Sequence, residues 1–363
     1  MAMAGNRPTE ENRMSLMSKM LAAAALGCAV ALPAAVPAAA QQITGAGATF
    51  PNPVYQKWGE AAQKAIGIQL NYQSIGSGGG QTQIKNRTVD FGASDAPVPA
   101  AALKESNLLQ FPSVMGAVVA IVNVPGVTEN QMKLSGELLA DIYLGKITKW
   151  NDPKLAELNS GVALPNLAIA PVYRADGSGT TSIWTSYLSA VSPEFKEKIG
   201  VGTSVRFPAG TGSRGNEGVA GTVHNTRGAI GYVENAYATQ THQVTTQIRN
   251  KDGNFVTPTT EAFVAAAQNA DWSTPDFAAS LVNQPGATSW PIVSPTFILL
   301  PKDGKDAAHT AAVLKFFDWA YTNGAKMAQD LEYIPLPPTV QTAVRTAWKT
   351  ELKGPDGKPV ATP

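Results

Sequence analysis

The chain has 363 residues, 44% of them hydrophobic and 15% charged, which is typical of a folded globular protein. This length suggests about two domains of roughly 100–200 residues each. The formal net charge of +1 gives no electrostatic basis for binding nucleic acid or an anionic membrane, so we expect no nucleic-acid partner.

The first 40 residues have the pattern of a secretory signal. A lysine precedes an apolar run over residues 20–36, and an Ala-Ala-Ala stretch follows it. A charged start, an apolar stretch and a small-residue site are the features that a signal peptidase recognises, so we predict export with cleavage after Ala40. Two alternatives stay open. One is an uncleaved membrane anchor, and the other is lipoprotein processing at Cys28, where Ala25 stands in place of the usual leucine.

Removal of residues 1–40 takes away three basic and two acidic side chains, together with the only cysteine, and leaves a chain of no net charge. The processed protein therefore has no disulfide and no thiolate chemistry, and its stability must come from its core. Its three histidines are scattered and lack the spacing of a metal site, so we expect neither a metal nor a cofactor.

Strand-like and helical segments alternate along the rest of the chain, which predicts an α/β fold. Helical patterns with one apolar face start near Val54 and near Val313, and a last helix is predicted over 339–353, before a frayed tail at 354–363. Apolar, β-branched runs predict buried strands over 68–75, 116–124, 167–174, 228–234 and 291–300.

Four polar turns rich in small residues accompany these elements. In chain order they are GAGATFPNPVYQKW (45–58), SIGSGGGQTQI (74–84), VDFGASDAP (89–97) and YRADGSGTTSIWTSYL (173–188). Three of them lead into a predicted helix, whose first N–H groups lack intrahelical partners and lie at the positive end of the dipole. Such a helix start can bind an anion, and open α/β sheets bind ligands at the carboxyl ends of their strands. The four turns together predict an anion site.

Each of these features alone also has a structural explanation, which stays open at this point. Glycine-rich turns with serine or threonine caps occur in most α/β proteins. Arg174 carries a planar fork suited to an oxyanion, but a single arginine is more often a solvated surface residue. Asp176 could cap the helix or pair with Arg174, and Tyr173 could pack against the core.

Enzyme signatures are lacking. The GAGATF segment has no third glycine and no clear strand before it, so the dinucleotide fingerprint fails. The sequence contains no GxxxxGK[ST] motif, and no G-x-S-x-G surrounds Ser77 or Ser178. No histidine stands near these serines in the sequence to act as a base, so we expect the protein not to be an enzyme.

Six segments closely resemble the periplasmic phosphate-binding proteins of high-affinity phosphate ABC transporters. They are TGAGATFPNPVYQKW, VDFGASDAP, DIYLGKITKWND, RADGSGTTSIWTSYL, GAIGYVE and LKFFDWAYTNGAK, and the resemblance extends from about residue 43 to 359. It implies a type II periplasmic binding protein fold with two α/β lobes and two crossing hinge strands. The implied first lobe comprises 41–123 and 293–363, the second comprises 127–290, and the crossings are at 124–126 and 291–292.

The same resemblance implies which residues hold the anion. They are Thr49, Phe50 (through its backbone), Ser77, Asp95, Arg174, Ser178, Gly179 and Thr180, with Asp176 bracing the arginine. Two positions depart from the family pattern: Gly78 replaces a serine, and Tyr173 stands where a second arginine occurs in some members.

Asp95 explains how such a site could select its anion. An ionised carboxylate only accepts hydrogen bonds, so it is satisfied by a ligand that brings its own proton. Phosphate carries one or two protons at neutral pH and sulfate carries none, so sulfate would leave Asp95 desolvated and facing an oxyanion. A mismatch of this kind discriminates strongly.

The resemblance therefore predicts an exported, periplasmic and monomeric receptor that captures inorganic phosphate and delivers it to the permease of an ABC transporter. Two other functions stay open. One is a secreted hydrolase of phosphate esters, and the other is an anion-binding protein that serves no transporter.

Overall fold

The computed structural model describes residues 1–2 and 41–363, so the predicted signal and its cleavage site lie outside the described residues, apart from the first two. Residues 41–363 all belong to one compact unit, Ala40–Pro363. Among the described residues, none of the helices combines the length and the apolar character needed to cross a bilayer.

Twelve strands are described. In chain order they are β1 (Gln41–Gly47), β2 (Ile68–Ser74), β3 (Phe91–Ser94), β4 (Leu108–Val122), β5 (Lys133–Leu134), β6 (Ala170–Arg174), β7 (Thr211–Ser213), β8 (Ala229–Glu234), β9 (Val244–Thr245), β10 (Gln247–Arg249), β11 (Phe255–Val256) and β12 (Val293–Pro301). The large mixed sheet has the order β2-β1-β3-β12-β4-β8-β6-β7, with β9 also paired to β4. A small sheet has the order β11-β10-β5.

The described helices connect these strands. They are α1 (Asn52–Ile66), α2 (Ser77–Lys85), α3 (Ala100–Glu105), α4 (Gly136–Tyr143), α5 (Pro153–Leu158), α6 (Gly179–Val191), α7 (Pro193–Lys198), α8 (Gly215–Asn225), α9 (Asn235–Gln240), α10 (Thr260–Ala267), α11 (Ala307–Asn323), α12 (Ala325–Asp330) and α13 (Pro338–Glu351). The alternation predicted from the sequence is confirmed, and the five predicted strands are β2, β4, β6, β8 and β12.

One expectation is wrong: a strand leads directly into the GAGATF segment and includes its first three residues. This strand, β1, pairs in parallel with both β2 and β3. Its glycines, which are poor strand formers, hide it in the sequence. They are required because a Cβ on Gly45 would come within 2.1 Å of the Phe91 ring, and one on Gly47 within 2.0 Å of the Ala93 carbonyl oxygen.

The long strand β4 joins two groups of strands. Its residues 108–117 pair with β12, which also pairs with β3, whereas its residues 118–122 pair with β8. We call β1, β2, β3, β12 and residues 108–117 the first strand group. The second strand group comprises β6, β7, β8, β9 and residues 118–122. All fifteen residues of β4 are buried, which explains its apolar sequence.

The chain returns to the first strand group beside the point where β4 changes partners. The Val118 N–H donates to the Ile292 carbonyl oxygen at 2.9 Å, and the Val118 carbonyl oxygen accepts from the Trp290 indole at 2.9 Å. The two passages of the chain between the strand groups are therefore held side by side by hydrogen bonds. Trp290 itself is fully buried.

Each strand group has its own cluster of aromatic side chains. In the first, Tyr55, Phe91 and Phe111 all pack edge-on against Phe317 of α11. In the second, Trp184 of α6 stacks on Tyr232 of β8 at a centroid distance of 5.0 Å. Edge-on and offset stacked contacts are the favourable geometries for aromatic rings. Both clusters belong to one continuous hydrophobic core.

Candidate functional site

Six polar residues lie at or just after the carboxyl ends of parallel strands, three in each strand group. Hydrogen bonds and close contacts bring them together. Parallel strands present their carboxyl ends at one edge of a sheet, which is where open α/β sheets bind ligands. The residues are Thr49, Ser77 and Asp95 after β1, β2 and β3, Arg174 and Glu234 as the last residues of β6 and β8, and Asn216 after β7.

Arg174 is buried, with only 1% of its side chain exposed, so it is not a surface arginine. Its Nε donates to Asp176 Oδ1 at 2.8 Å, and its Nη2 bonds the other carboxylate oxygen of Asp176. Burial acts to raise the pKa of Asp176, but the Arg174 guanidinium and the Gly215 N–H outweigh it and hold that pKa below its usual value. Asp176 therefore stays ionised and fixes the plane of the guanidinium.

The start of α6 has the form predicted from the sequence. Ser178 is its N-cap residue, and the Ser178 hydroxyl accepts the Thr181 N–H at 3.0 Å. The next two residues, Gly179 and Thr180, are buried in the first turn, where backbone N–H groups lack intrahelical partners. Arg174 Nη1 lies 3.5 Å from the Thr180 hydroxyl, so the arginine and the helix start meet.

Gly179 is where the helix start meets the first strand group. A Cβ at this position would lie 2.4 Å from both Asp95 Oδ2 and Ser77 Oγ, so only glycine fits. The neighbouring turns also touch through their backbones, because the Gly78 N–H donates to the Gly177 carbonyl oxygen at 2.9 Å. A Cβ on Gly78 would stand 3.1 Å from Gly177 Cα, so a serine there would press against this contact.

Asp95 is a buried carboxyl group with only 2% of the residue exposed. Its Oδ1 accepts from the Thr296 hydroxyl at 2.7 Å, and its backbone N–H donates to Ser77 Oγ at 3.2 Å. Burial raises the pKa of Asp95 to about 7, against the lowering effects of the Thr296 hydroxyl, the Arg174 charge and the Ser77 hydroxyl. Asp95 therefore changes its charge near neutral pH.

Thr49 and Phe50 form the part of the site that precedes α1. Both are buried, and their carbonyl oxygens accept from two tyrosines: Tyr237 donates to Thr49 and Tyr333 to Phe50, each at 2.6 Å. Tyr237 belongs to α9, which follows a strand of the second group. The Thr49 backbone is therefore held from across the site.

Asn216 was not predicted from the sequence. It is fully buried in the first turn of α8, where its side-chain Nδ2 lies 2.6 Å from the Thr49 hydroxyl and 3.2 Å from the Thr180 hydroxyl. Its sequence context, TGSRGNEG, is again a short strand, a small-residue turn and a helix start. The pattern of a strand, a small-residue turn and a helix start, which predicted the other parts of the site, therefore also occurs at Asn216.

Glu234 is a second residue that the sequence analysis missed. It is fully buried; its Oε2 accepts the Ala236 N–H at 2.9 Å and lies 2.7 Å from the Tyr333 hydroxyl, while its Oε1 has no partner within the described residues. Burial raises the pKa of Glu234 well above its usual value. The Tyr333 hydroxyl has one hydrogen and also contacts the Phe50 carbonyl, so a proton on Glu234 satisfies both contacts.

The remaining features define the surroundings of the site. Tyr173 packs against Phe207, with ring centroids 5.1 Å apart, as a packing residue would. A cleft of about 220 Å³ opens beside the site and is lined by Thr49, Ser74, Ile75, Asp176, Arg214, Gly215 and Glu217. Within residues 1–2 and 41–363, no three His, Cys, Asp or Glu side chains are grouped to hold a metal ion.

These residues form a buried set of hydrogen-bond donors around one carboxyl group. The donors are hydroxyls, a guanidinium and the start of a helix, contributed from both strand groups. Such a set can stabilise an oxyanion, and an ionised carboxyl group can accept a hydrogen bond from an anion that carries a proton. Of the predicted residues, Ser77, Asp95 and Gly179 contact one another, while Arg174 and Thr180 connect to Thr49 through Asn216.

Comparison with known proteins gives consistent results. A model of the PBP superfamily domain matches residues 32–323. The chain is 53% identical over 320 residues to the phosphate-binding protein PstS of Pasteurella multocida, covering 88% of this chain and 93% of that protein. It is 48% identical to the protein of the same name from Haemophilus influenzae, covering 87% and 95%. A crystal structure of the phosphate binding protein from Stenotrophomonas maltophilia has the same fold, with a TM-score of 0.66 at 23% identity, and the match covers 85% of this chain and 94% of that one.

Proposed function

Because the chain belongs to the PBP superfamily and, within it, to the family of PstS phosphate-binding proteins, we propose that it captures inorganic phosphate and delivers it to the permease of an ABC transporter. The observation that carries this proposal is the buried Asp95 carboxyl group among buried donors. An anion that is also a proton donor satisfies both kinds of group at once.

In the proposed complex the donors are those that the resemblance implies. Arg174, held by Asp176, supplies the positive charge, and the start of α6 supplies backbone N–H groups together with the side chains of Ser178 and Thr180. Thr49, the backbone of Phe50 and Ser77 contribute from the other side. The short contacts among these residues support this assignment.

Asp95 is the proposed origin of selectivity. When it is ionised, a phosphate that carries a proton donates to it, whereas sulfate has no proton to offer. The desolvated carboxylate then faces a second anion without a hydrogen bond, which is a large penalty in a buried site. Because the pKa of Asp95 is about 7, this discrimination is expected to depend on pH.

In this proposal the protein has two lobes that close on the ligand, residues 41–123 with 293–363 and residues 127–290. The strand groups follow these lobes except at residues 118–122, which pair with β8 of the second strand group. The exchange of partners along β4 and the nearby return at Trp290 to Ile292 support two adjacent crossings. The exchange lies between residues 117 and 118, six residues before the predicted crossing at 124–126. A ligand held from both lobes favours their closed arrangement.

The proposed protein is a monomeric receptor that works in the periplasm after cleavage behind Ala40. It performs no catalysis and binds no nucleic acid. The apolar stretch over residues 20–36 supports export.

Calorimetric titration of the purified processed chain with phosphate and with sulfate tests the proposal. We expect saturable binding of phosphate and much weaker binding of sulfate at pH 8. In parallel, a chromogenic phosphomonoester with and without divalent metal should show no turnover. Turnover would support a hydrolase instead. Phosphate binding without a permease gene next to this one would support an anion-binding protein outside a transporter.

A further inference from the structure

The side chain of Asn216 is oriented by a neighbouring strand. Its Oδ1 accepts the backbone N–H of Glu234 at 2.9 Å, at the end of β8. An amide oxygen accepts and an amide nitrogen donates, so this bond fixes which end of the side chain faces the site. The donor end, Nδ2, must therefore face the two threonine hydroxyls.

Each of those hydroxyl oxygens receives two donors. Thr49 Oγ1 accepts from Asn216 Nδ2 at 2.6 Å and from the Asn216 backbone N–H at 3.3 Å. Thr180 Oγ1 accepts from Asn216 Nδ2 at 3.2 Å and from Arg174 Nη1 at 3.5 Å. Nδ2 carries two hydrogens, one for each threonine, so a single amide group serves both.

A hydroxyl has two lone pairs and one hydrogen. When both lone pairs accept hydrogen bonds, the hydroxyl can act toward any further partner only as a donor. Thr49 and Thr180 come from different strand groups, and both are buried, with 1% and 0% of the residue exposed. Neither hydroxyl can then turn its lone pairs toward a ligand.

We propose that Asn216 is a positioning residue that acts through Thr49 and Thr180 and fixes both hydroxyls as donors to the bound anion. This inference rests on the proposed phosphate-binding function and adds the residue that sets the polarity of the site. Without the Asn216 side chain, each hydroxyl keeps only one of its two donors, the backbone N–H of residue 216 for Thr49 and Arg174 Nη1 for Thr180. Each hydroxyl oxygen then has a lone pair that can face the anion, and that contact is repulsive.

A net hydrogen bond changes an equilibrium constant by roughly fivefold. Loss of orientation at two hydroxyls should therefore weaken phosphate binding roughly 10- to 30-fold in Asn216→Ala. Calorimetric titration with phosphate measures the loss of affinity caused by Asn216→Ala in two backgrounds. One is the wild type, and the other is the double variant Thr49→Val with Thr180→Val. In the valine background the hydroxyls are gone, so Asn216→Ala should change the affinity less than about twofold.

A structural role for Asn216 predicts a different result, because distortion of α8 would weaken binding equally in both backgrounds. Equal losses would overturn the inference while the proposed function stands. Failure of the wild type to bind phosphate would overturn both the inference and the proposed function.

If Asn216→Ala does not fold, Asn216→Asp replaces it in the same two backgrounds, since aspartate keeps the shape of the side chain and the acceptor for the Glu234 N–H. Its loss should be at least about fivefold greater in the threonine background, and equal losses would again reject the inference.

Asn250→Ala is the matched control. Asn250 is also a buried asparagine, and its Nδ2 donates to the carbonyl oxygens of Gly286, Ala287 and Ser289. We expect this change to lower the melting temperature but to leave the phosphate affinity within about twofold. A loss equal to that of Asn216→Ala would show that any missing buried amide weakens binding, and would overturn the inference.

Discussion

The Asp95→Asn substitution tests the selectivity argument most directly. The Thr296 hydroxyl donates to Asp95 Oδ1, so the amide oxygen of the variant keeps this position and the NH₂ group takes the place of Oδ2 beside Gly179. The carboxylate oxygen only accepted hydrogen bonds, whereas the NH₂ group donates them and can therefore bond to a fully deprotonated oxyanion. The penalty against sulfate should therefore shrink.

The magnitude follows from burial. Asp95 is 2% exposed, so water cannot replace a lost partner, and one mismatched buried polar contact costs about 1–3 kcal/mol. Each ~1.4 kcal/mol is a factor of ten in affinity. The variant's preference for phosphate over sulfate should therefore fall by at least about fivefold. Phosphate bound to the variant loses a charge-assisted hydrogen bond but also some charge repulsion. These two effects on phosphate affinity have opposite signs, so the ratio of the phosphate and sulfate affinities is the quantity to measure.

Competition calorimetry at pH 8 and fixed ionic strength gives this ratio for the wild type and the variant. Asp90→Asn is a suitable control, since Asp90 bonds the Thr44 N–H and His309 rather than any residue of the site. Its ratio should equal that of the wild type. An unchanged ratio in Asp95→Asn would show that selectivity arises elsewhere and that this account of the site is wrong.

Four further outcomes are expected. Arg174→Ala should weaken phosphate binding roughly 30-fold or more by calorimetry, because removing one partner of a buried charge pair costs about 2–5 kcal/mol; a loss below about threefold would contradict its role. Small-angle scattering should show a smaller radius of gyration with saturating phosphate, and no compaction would count against closing lobes. Lowering the pH from 8 to 6 protonates Asp95, whose pKa is about 7, so sulfate binding to the wild type should strengthen by about tenfold, and a flat profile would argue against this pKa. Burial holds the pKa of Glu234 above its ordinary value of 4.5, so above pH 4.5 this residue ionises in the unfolded chain while it stays protonated in the native state, and the native state loses stability. Glu234→Gln removes this loss and should raise the melting temperature more at pH 8 than at pH 4. An equal change at the two pH values would refute the raised pKa.

The elements that could be predicted are those whose local sequence contains the whole reason for their structure. The start of α6 was predictable because Ser178 caps the helix from within three residues, and small residues mark the turn before it. The strand β8 was predictable because its apolar run is buried on both faces. The positions of Arg174 and Asp95 at strand ends followed from the same patterns.

The elements that were missed depend on partners far along the chain. The glycines of β1 look unlike a strand until Phe91 and Ala93 pack against them. The contact between Asn216 and Thr49 joins residues 167 positions apart. Similarly, Thr296 lies inside a buried strand, where nothing local indicates that its hydroxyl reaches Asp95, 201 positions away. The periodicity of the sequence does not indicate which distant residues come into contact.

The position of β12 between β3 and β4 affects the order in which the parts of the chain can fold. β3 and β4 are not neighbours in the sheet, and each pairs with β12, whose residues 293–301 are made late in synthesis. The second strand group draws its strands from residues 118–245, so all of them precede β12 along the chain. Strand pairs far apart in sequence form slowly, because the long loop must close first. The middle of this chain can therefore complete its strands while the beginning, although synthesised earlier, still waits for the end.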